Sequence, residues 1–75
     1  MTRVAWWRFD FYDESGGLTG STYVDGADYR DAISRSWALR CNPGGPVEFD
    51  RLERKPEISQ EDIRRFIPRA ELEAA

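Results

Sequence analysis

The chain has 75 residues, of which 14 are acidic, 11 are basic and none is histidine, so its formal net charge is −3. This length suits one small domain, and the lack of histidine excludes most catalytic triads and zinc sites. Cys41 has no second cysteine to form a disulfide with, and no apolar stretch approaches the roughly 20 residues of a membrane span. We expect a cytoplasmic domain that needs neither a cofactor nor a metal ion.

The N-terminal third predicts a β-hairpin. Residues 3–12 alternate with a period of two, as a half-buried strand requires. One face carries Ala5, Trp7, Phe9 and Phe11, and the other carries Val4, Trp6, Arg8, Asp10 and Tyr12. Residues 13–17 are typical of a turn and connect the two strands. Residues 18–24 form the returning strand, in which Gly20 marks a bulge or a close approach.

A first helix is predicted after the hairpin. It opens within residues 25–28, because an aspartate at 25 or 28 can accept hydrogen bonds from the first free N–H groups. One stripe at a spacing of four residues is predicted to face the hairpin, with Ala32 and Ser36 beside it. The stripe consists of Tyr29, Ile33, Trp37 and Cys41. Residues 42–46 end the helix, since Asn or Gly adopts a left-handed cap and proline cannot continue a helix.

The C-terminal third predicts a short strand and a second helix. Residues 47–53 alternate and form the strand, whose apolar side is Val47 and Phe49. Ser59 and Asp62 form a variant of the capping box at the start of the helix. The buried side of this helix is Ile63, Phe66 and Ile67. Pro68 stops or kinks it, and residues 69–75 are predicted to be a flexible or weakly helical tail.

These elements predict an α+β fold in the order β-β-α-β-α. The predicted arrangement is a three-stranded antiparallel sheet with both helices on one face. Residues 1–68 form the single domain, and residues 69–75 form the tail. With so few strands, at least one edge of the sheet stays open and can pair with another chain.

The side chains favour a non-catalytic protein. No set of residues meets the requirements for a nucleophile, a base and an orienting group. Asp25, Asp28 and Asp31 recur every three residues, but capping and compensation of the helix dipole explain them better than a metal site. The glycine pairs at 16–17 and 44–45 lack the spacing of a phosphate-binding loop and indicate turns.

The aromatic residues point to a partner-binding surface. Trp6, Tyr12 and Tyr23 fall on the sheet face opposite the apolar residues of the first strand, and a two-layer domain leaves one sheet face open. That face would carry residue types that dominate interface hot spots, namely Trp6, Arg8, Asp10 and Tyr12. Acidic residues that extend this set are Asp13, Glu14, Asp25, Asp28 and Asp31. The expected partner is a larger protein or a ribonucleoprotein complex.

In size, acidity and α+β layout with a β-hairpin, the chain resembles the small inhibitors that phages encode against bacterial defence complexes, anti-CRISPR proteins especially. The resemblance rests on no motif. It implies a viral protein in the cytoplasm of a bacterial host that binds a CRISPR effector complex and blocks DNA access or nuclease recruitment. Some such inhibitors present carboxylates where phosphates would lie. Here that group would be Asp10, Asp13, Glu14, Asp25, Asp28 and Asp31, although ten arginines and a net charge of −3 depart from a full DNA mimic.

Two other functions are compatible with the sequence. A structural or regulatory accessory domain could form a homodimer through its sheet edge, and the interface would then consume Trp6 and Tyr12. A weak binder of single-stranded nucleic acid would stack bases on exposed aromatics beside arginines. Its binding would fall steeply with salt and on charge reversal of Arg51, Arg54 and Lys55.

Overall fold

The computed structural model describes residues 4–74, which form a four-stranded antiparallel sheet with two helices. The strands are β1 (Ala5–Tyr12), β2 (Leu18–Gly26), β3 (Val47–Leu52) and β4 (Phe66–Pro68), in the spatial order β3-β1-β2-β4. The helices are α1 (Tyr29–Ala38) and α2 (Arg69–Glu73), and Gln60–Asp62 forms one 3-10 turn. The α+β class is confirmed, but the prediction of three strands in the order β-β-α-β-α is wrong, because a fourth strand precedes α2. Within residues 4–74, no helix is long and apolar enough to cross a membrane.

The fourth strand replaces the predicted second helix. Ser59 does accept a hydrogen bond from the Glu61 N–H at 3.3 Å, but the helical geometry ends at Asp62. Phe66–Pro68 instead pairs with Gly20–Thr22 of β2. The capping signal is local and stabilises only one turn, whereas the free edge of β2 offers unpaired N–H and C=O groups along its length. Pairing with that edge therefore outweighs the helix signal.

Gly20 lets β4 approach β2. A Cβ atom on Gly20 would lie 2.8 Å from Phe66 Cε1 and would overlap Phe66 Cζ and the Ile67 carbonyl oxygen. The pairing of β1 with β2 also slips beside this residue, because Phe11 pairs with Gly20 but Tyr12 pairs with Leu18. The predicted close approach at Gly20 is confirmed, and what approaches it is the strand that the sequence did not reveal.

The core lies between the sheet and α1. It is built on the odd-numbered face of β1, and its buried residues are Trp7, Phe9, Phe11, Val24 and Ala32. The rings of Phe9 and Phe49 both contact Tyr29 of α1, at centroid distances of 6.0 and 4.2 Å. Three of these five buried residues are thus aromatic, and aromatic side chains bury more surface each than other residue types.

The helix α1 begins as the sequence predicts. Asp28 is its N-cap and accepts a hydrogen bond from the Asp31 N–H at 2.8 Å. It ends earlier than predicted, at Ala38, because Arg40 adopts the left-handed conformation with φ 58°. The N–H groups of Arg40 and Cys41 then bond to carbonyl oxygens of the last turn. This is a Schellman motif with arginine where glycine is usual.

The predicted contact stripe of α1 is partly wrong. Trp37 keeps 57% of its surface exposed, and Cys41 is buried but lies beyond the end of the helix. The fully buried helix residues are the small ones, Ala32 and Ser36. The cause is the closeness of β2, since a Cβ atom on Gly26 would lie 2.7 Å from the Ala32 nitrogen. Only small side chains fit where α1 crosses β2. The helix therefore turns Ala32 and Ser36 toward the sheet and leaves Trp37 exposed.

Candidate functional site

The sheet face away from α1 carries the four side chains at the centre of the predicted partner surface. Trp6, Arg8, Asp10 and Tyr12 alternate with the core residues of β1, and each is half-buried. Tyr23 of β2 pairs with Arg8 and therefore lies on the same face. The structure brings these five residues together, and we call the surface that they form the outer face.

A charge network occupies the centre of the outer face. Arg8 Nη2 donates a hydrogen bond to Asp50 Oδ2 at 2.6 Å, and Arg8 Nε lies 3.5 Å from Asp10 Oδ2. Ser21, which is buried, donates its hydroxyl to Asp10 Oδ1 at 2.6 Å. Asp10 also lies directly opposite Glu48 of β3. The network therefore contains one arginine and three carboxylates, so this part of the outer face is acidic.

The chain crosses the outer face once. Residues 53–65, which we call the crossing segment, connect β3 to β4, and these strands lie at opposite edges of the sheet. Near its end, Ile63 bridges to Tyr23, and the Arg64 N–H donates to the Tyr23 carbonyl oxygen at 2.9 Å. The segment therefore covers only part of the end of the outer face where Trp6 lies, since Trp6 stays half-buried, and the end with Tyr12 remains uncovered by it.

Two cations of the crossing segment lie beside Trp6. Lys55 Nζ is 5.9 Å and Arg64 Cζ is 5.7 Å from the centre of the Trp6 ring. Arg64 holds the left-handed backbone conformation, with φ 61°, and its Nε donates to Asp25 Oδ1 at 2.9 Å. That hydrogen bond lowers the pKa of Asp25, and the charge of Arg35 acts in the same direction. A strained arginine is thus held by an ion pair over an aromatic ring.

A groove of about 540 Å³ lies between the crossing segment and the central strands. Its floor is Arg8 and Tyr23, and its rim is residues 52–58. The rim contains two cations and two carboxylates, from Arg54, Lys55, Glu53 and Glu57, together with apolar residues. Its volume lies within the roughly 300–1,000 Å³ of ligand sites, but its mixed charge favours no single kind of small ligand.

The acidic residues of the predicted partner surface do not form one cluster. Asp13 lies in the hairpin turn, where its carboxylate accepts hydrogen bonds from Ser15 and Gly17, and these bonds lower its pKa. Glu14 is exposed in the same turn. Asp25 lies opposite Trp6 near the other end of β1, roughly 20–25 Å away at the rise of a strand, and Asp28 and Asp31 follow at the start of α1. Presentation of carboxylates as a single phosphate-like array is therefore not supported.

These acidic side chains also have structural partners. Asp28 caps α1, and Asp31 accepts a hydrogen bond from the Ala27 N–H at 2.8 Å. Asp25 pairs with Arg35 at 3.3 Å as well as with Arg64. Local capping and ion pairing account for all three. Within residues 4–74, no three cysteine or acidic side chains converge in a way that could hold a metal ion.

Comparisons with protein-family models, with curated proteins and with solved structures each give no match for this chain. Its function is therefore inferred from its own residues.

Several residues that border the outer face were not predicted from the sequence. Glu48 and Asp50 join it because β3 pairs with β1, and their alternation with Val47 and Phe49 was visible in the sequence. No comparable signal marked Arg64, because the residues around it were predicted to be helical. Cys41 is 2% exposed and its burial raises the pKa of its thiol, so it is not a reactive nucleophile.

Proposed function

We propose that this protein is a non-catalytic protein-binding module that acts by occupying a surface of a larger partner. The observation that carries the proposal is the placement of Trp6, Arg8, Tyr12 and Tyr23 on one sheet face outside the core. The core is complete without them, since it forms on the other face of the sheet. Trp, Tyr and Arg are the residue types that contribute most to binding at protein interfaces.

The resemblance to anti-CRISPR proteins makes a CRISPR effector complex the first partner to test. The mode that we propose is contact through the aromatic and arginine side chains of the outer face. We do not propose mimicry of a phosphate backbone, because the carboxylates that it would need have partners within the chain. Asp28 caps α1, Asp31 accepts a hydrogen bond from the Ala27 N–H, and Asp25 pairs with Arg64.

The direct test is binding to purified CRISPR effector complexes, measured by biolayer interferometry. The variant Trp6→Ala with Tyr12→Ala removes two anchors from the outer face. We expect its affinity to fall about 30-fold or more, since a single hot-spot truncation costs about 2 kcal/mol. Far-UV circular dichroism and a thermal melt establish that the variant is folded.

The chain offers a matched control. Trp37 and Leu39 are 57% and 42% exposed and lie at the end of α1, on the other side of the sheet from Trp6. The variant Trp37→Ala with Leu39→Ala removes a similar apolar surface and should bind like the unmodified protein. If the control loses affinity and the Trp6 and Tyr12 variant does not, the outer face is not the interface.

A second candidate is binding of single-stranded nucleic acid at the Trp6 end of the outer face. It is favoured by the positions of Lys55 and Arg64 over the Trp6 ring, because a base that displaces these side chains can stack on the ring while the cations contact phosphates. The variant Arg54→Glu with Lys55→Glu should then abolish binding of a labelled oligonucleotide, and affinity should fall steeply as salt increases. Retention of protein binding by this variant would separate the two functions.

A further inference from the structure

The strand β3 is an exposed edge of the sheet. Within residues 4–74, no strand pairs with the edge of β3 that faces away from β1, and four of the six residues of β3 are exposed. The Tyr12 N–H donates to the Pro46 carbonyl oxygen at 2.9 Å, which makes this a hydrogen-bonded pair. Because such pairs alternate along an antiparallel ladder, the N–H and C=O groups of Val47, Phe49 and Arg51 point outward.

The side chains of β3 differ between its two faces. Glu48 and Asp50 lie on the outer face, and Asp50 remains 61% exposed although it binds Arg8. Phe49 lies on the α1 side, where it contacts Trp7 and Tyr29 but keeps 49% of its surface exposed. A strand added at this edge would cover the exposed part of Phe49 and would place its alternate side chains beside the two carboxylates.

A second copy of this chain is a poor occupant. When two β3 strands pair antiparallel and form one continuous sheet, side chains opposite each other lie on the same face. Odd-numbered residues then pair with odd-numbered residues, and even-numbered residues with even-numbered ones. The two central registers place Glu48 opposite Asp50, or Asp50 opposite Asp50, and like charges directly opposite each other are destabilising. Asp10 already lies opposite Glu48 within the chain, so self-pairing would add further carboxylates to an acidic cluster.

We propose that the β3 edge binds an extended segment of a partner protein in which basic and apolar side chains alternate. Its apolar side chain pairs with Phe49, and its lysine or arginine side chains lie opposite Glu48 and Asp50. The backbone groups of Val47, Phe49 and Arg51 supply the hydrogen bonds, and the carboxylates select the charge of the segment. This edge borders the outer face, where the Tyr12 hydroxyl donates a hydrogen bond to Glu48 at 3.4 Å. The proposed contacts use neither Trp6 nor Tyr12, so the proposal does not depend on the proposed function.

The probe is a short fluorescent peptide that alternates lysine and valine, and the control is a peptide of equal length that alternates glutamate and valine. Fluorescence anisotropy should show binding of the basic peptide alone. Glu48→Lys with Asp50→Lys should weaken that binding by about tenfold or more and should favour the acidic peptide, since two attractive cross-strand pairs become repulsive. Glu48→Gln with Asp50→Asn is the milder variant and should give an intermediate loss.

A charge-matched control distinguishes local from overall electrostatics. Glu57 and Glu61 are exposed residues of the crossing segment, away from the β3 edge. Glu57→Lys with Glu61→Lys changes the net charge by the same amount and should leave binding of the basic peptide within about twofold of the unmodified protein. An equal loss in both charge-reversed variants would overturn the proposal.

Backbone methylation tests whether the peptide adds a strand. The peptide valines lie opposite Phe49 and its outward-pointing neighbours, so their N–H groups face β3 and those of the lysines face away. N-methylation of the valine amides should abolish binding, whereas N-methylation of the lysine amides should preserve it. Equal binding of both methylated peptides would show that the peptide does not extend the sheet. A dimer in sedimentation equilibrium that Glu48→Lys with Asp50→Lys disrupts would instead assign the edge to a second copy.

Discussion

Substitution of Gly20 by alanine tests the placement of β4 directly. The structure puts the Phe66 ring and the Ile67 carbonyl oxygen where the alanine Cβ would lie. A clash with backbone cannot be relieved by rotation of a side chain, so β4 must move away from β2. If residues 59–68 formed a helix, as the local sequence indicates, no strand would lie beside Gly20. The same substitution would then be neutral or stabilising by up to about 1 kcal/mol.

The expected cost follows from overpacking, which typically destabilises by about 1–3 kcal/mol. A chain of this length has a total stability of about 4–11 kcal/mol, so the loss is a large fraction of it. The melting temperature of Gly20→Ala should fall by about 5–20 °C. The assay is a thermal melt followed by circular dichroism, together with urea unfolding.

Two further variants sharpen the test. Gly17→Ala is a matched control, because its Cβ would meet only the exposed Asp13 carboxylate, at 3.1 Å, and its stability should change by no more than about 0.5 kcal/mol. Phe66→Ala removes the clashing ring, so the double variant with Gly20→Ala should cost about 0.5–3 kcal/mol less than the sum of the single variants. A Gly20→Ala protein as stable as the unmodified one would refute the pairing of β4 with β2.

Three more changes have expected outcomes. Arg40→Gly should stabilise the protein by about 0.5–1 kcal/mol in urea unfolding, because glycine adopts the left-handed conformation without strain. Asp28→Ala should destabilise it by about 1 kcal/mol in the same assay, because the Asp31 N–H loses its acceptor. The pKa of Asp25 is lowered in the folded state, chiefly by the hydrogen bond from Arg64, so its contribution to stability is present above the unfolded pKa of about 3.9 and is lost as pH falls below it. Asp25→Asn should therefore be less stable near neutral pH and should lose less stability on acidification.

Each of these expectations has a contradicting result. A stability gain of Arg40→Ala equal to that of Arg40→Gly would assign the effect to charge and not to the backbone. Full stability of Asp28→Ala would mean that its carboxylate is not the cap. Parallel pH profiles for Asp25→Asn and the unmodified protein between about pH 2 and pH 7 would show that Asp25 contributes nothing to acid sensitivity.

The features that the sequence determines by itself are those whose signal is local. The alternation of residues 5–12 predicts both faces of β1, because successive side chains of any strand point to opposite sides. The cap at Asp28 and the turn at Asp13 are likewise readable, since each needs only N–H groups within a few residues along the chain. The outer-face positions of Trp6 and Tyr12 follow from the same alternation.

Tertiary structure alone decides the rest. Residues 66–68 become a strand because the β2 edge and Gly20 are close in space, although they are distant in sequence. The positions of the strands place the acidic residues toward the two ends of β1. They also determine that Lys55 and Arg64 lie over Trp6. Local propensities are worth a few tenths to about 1 kcal/mol per residue, and one paired edge or one close backbone crossing outweighs them.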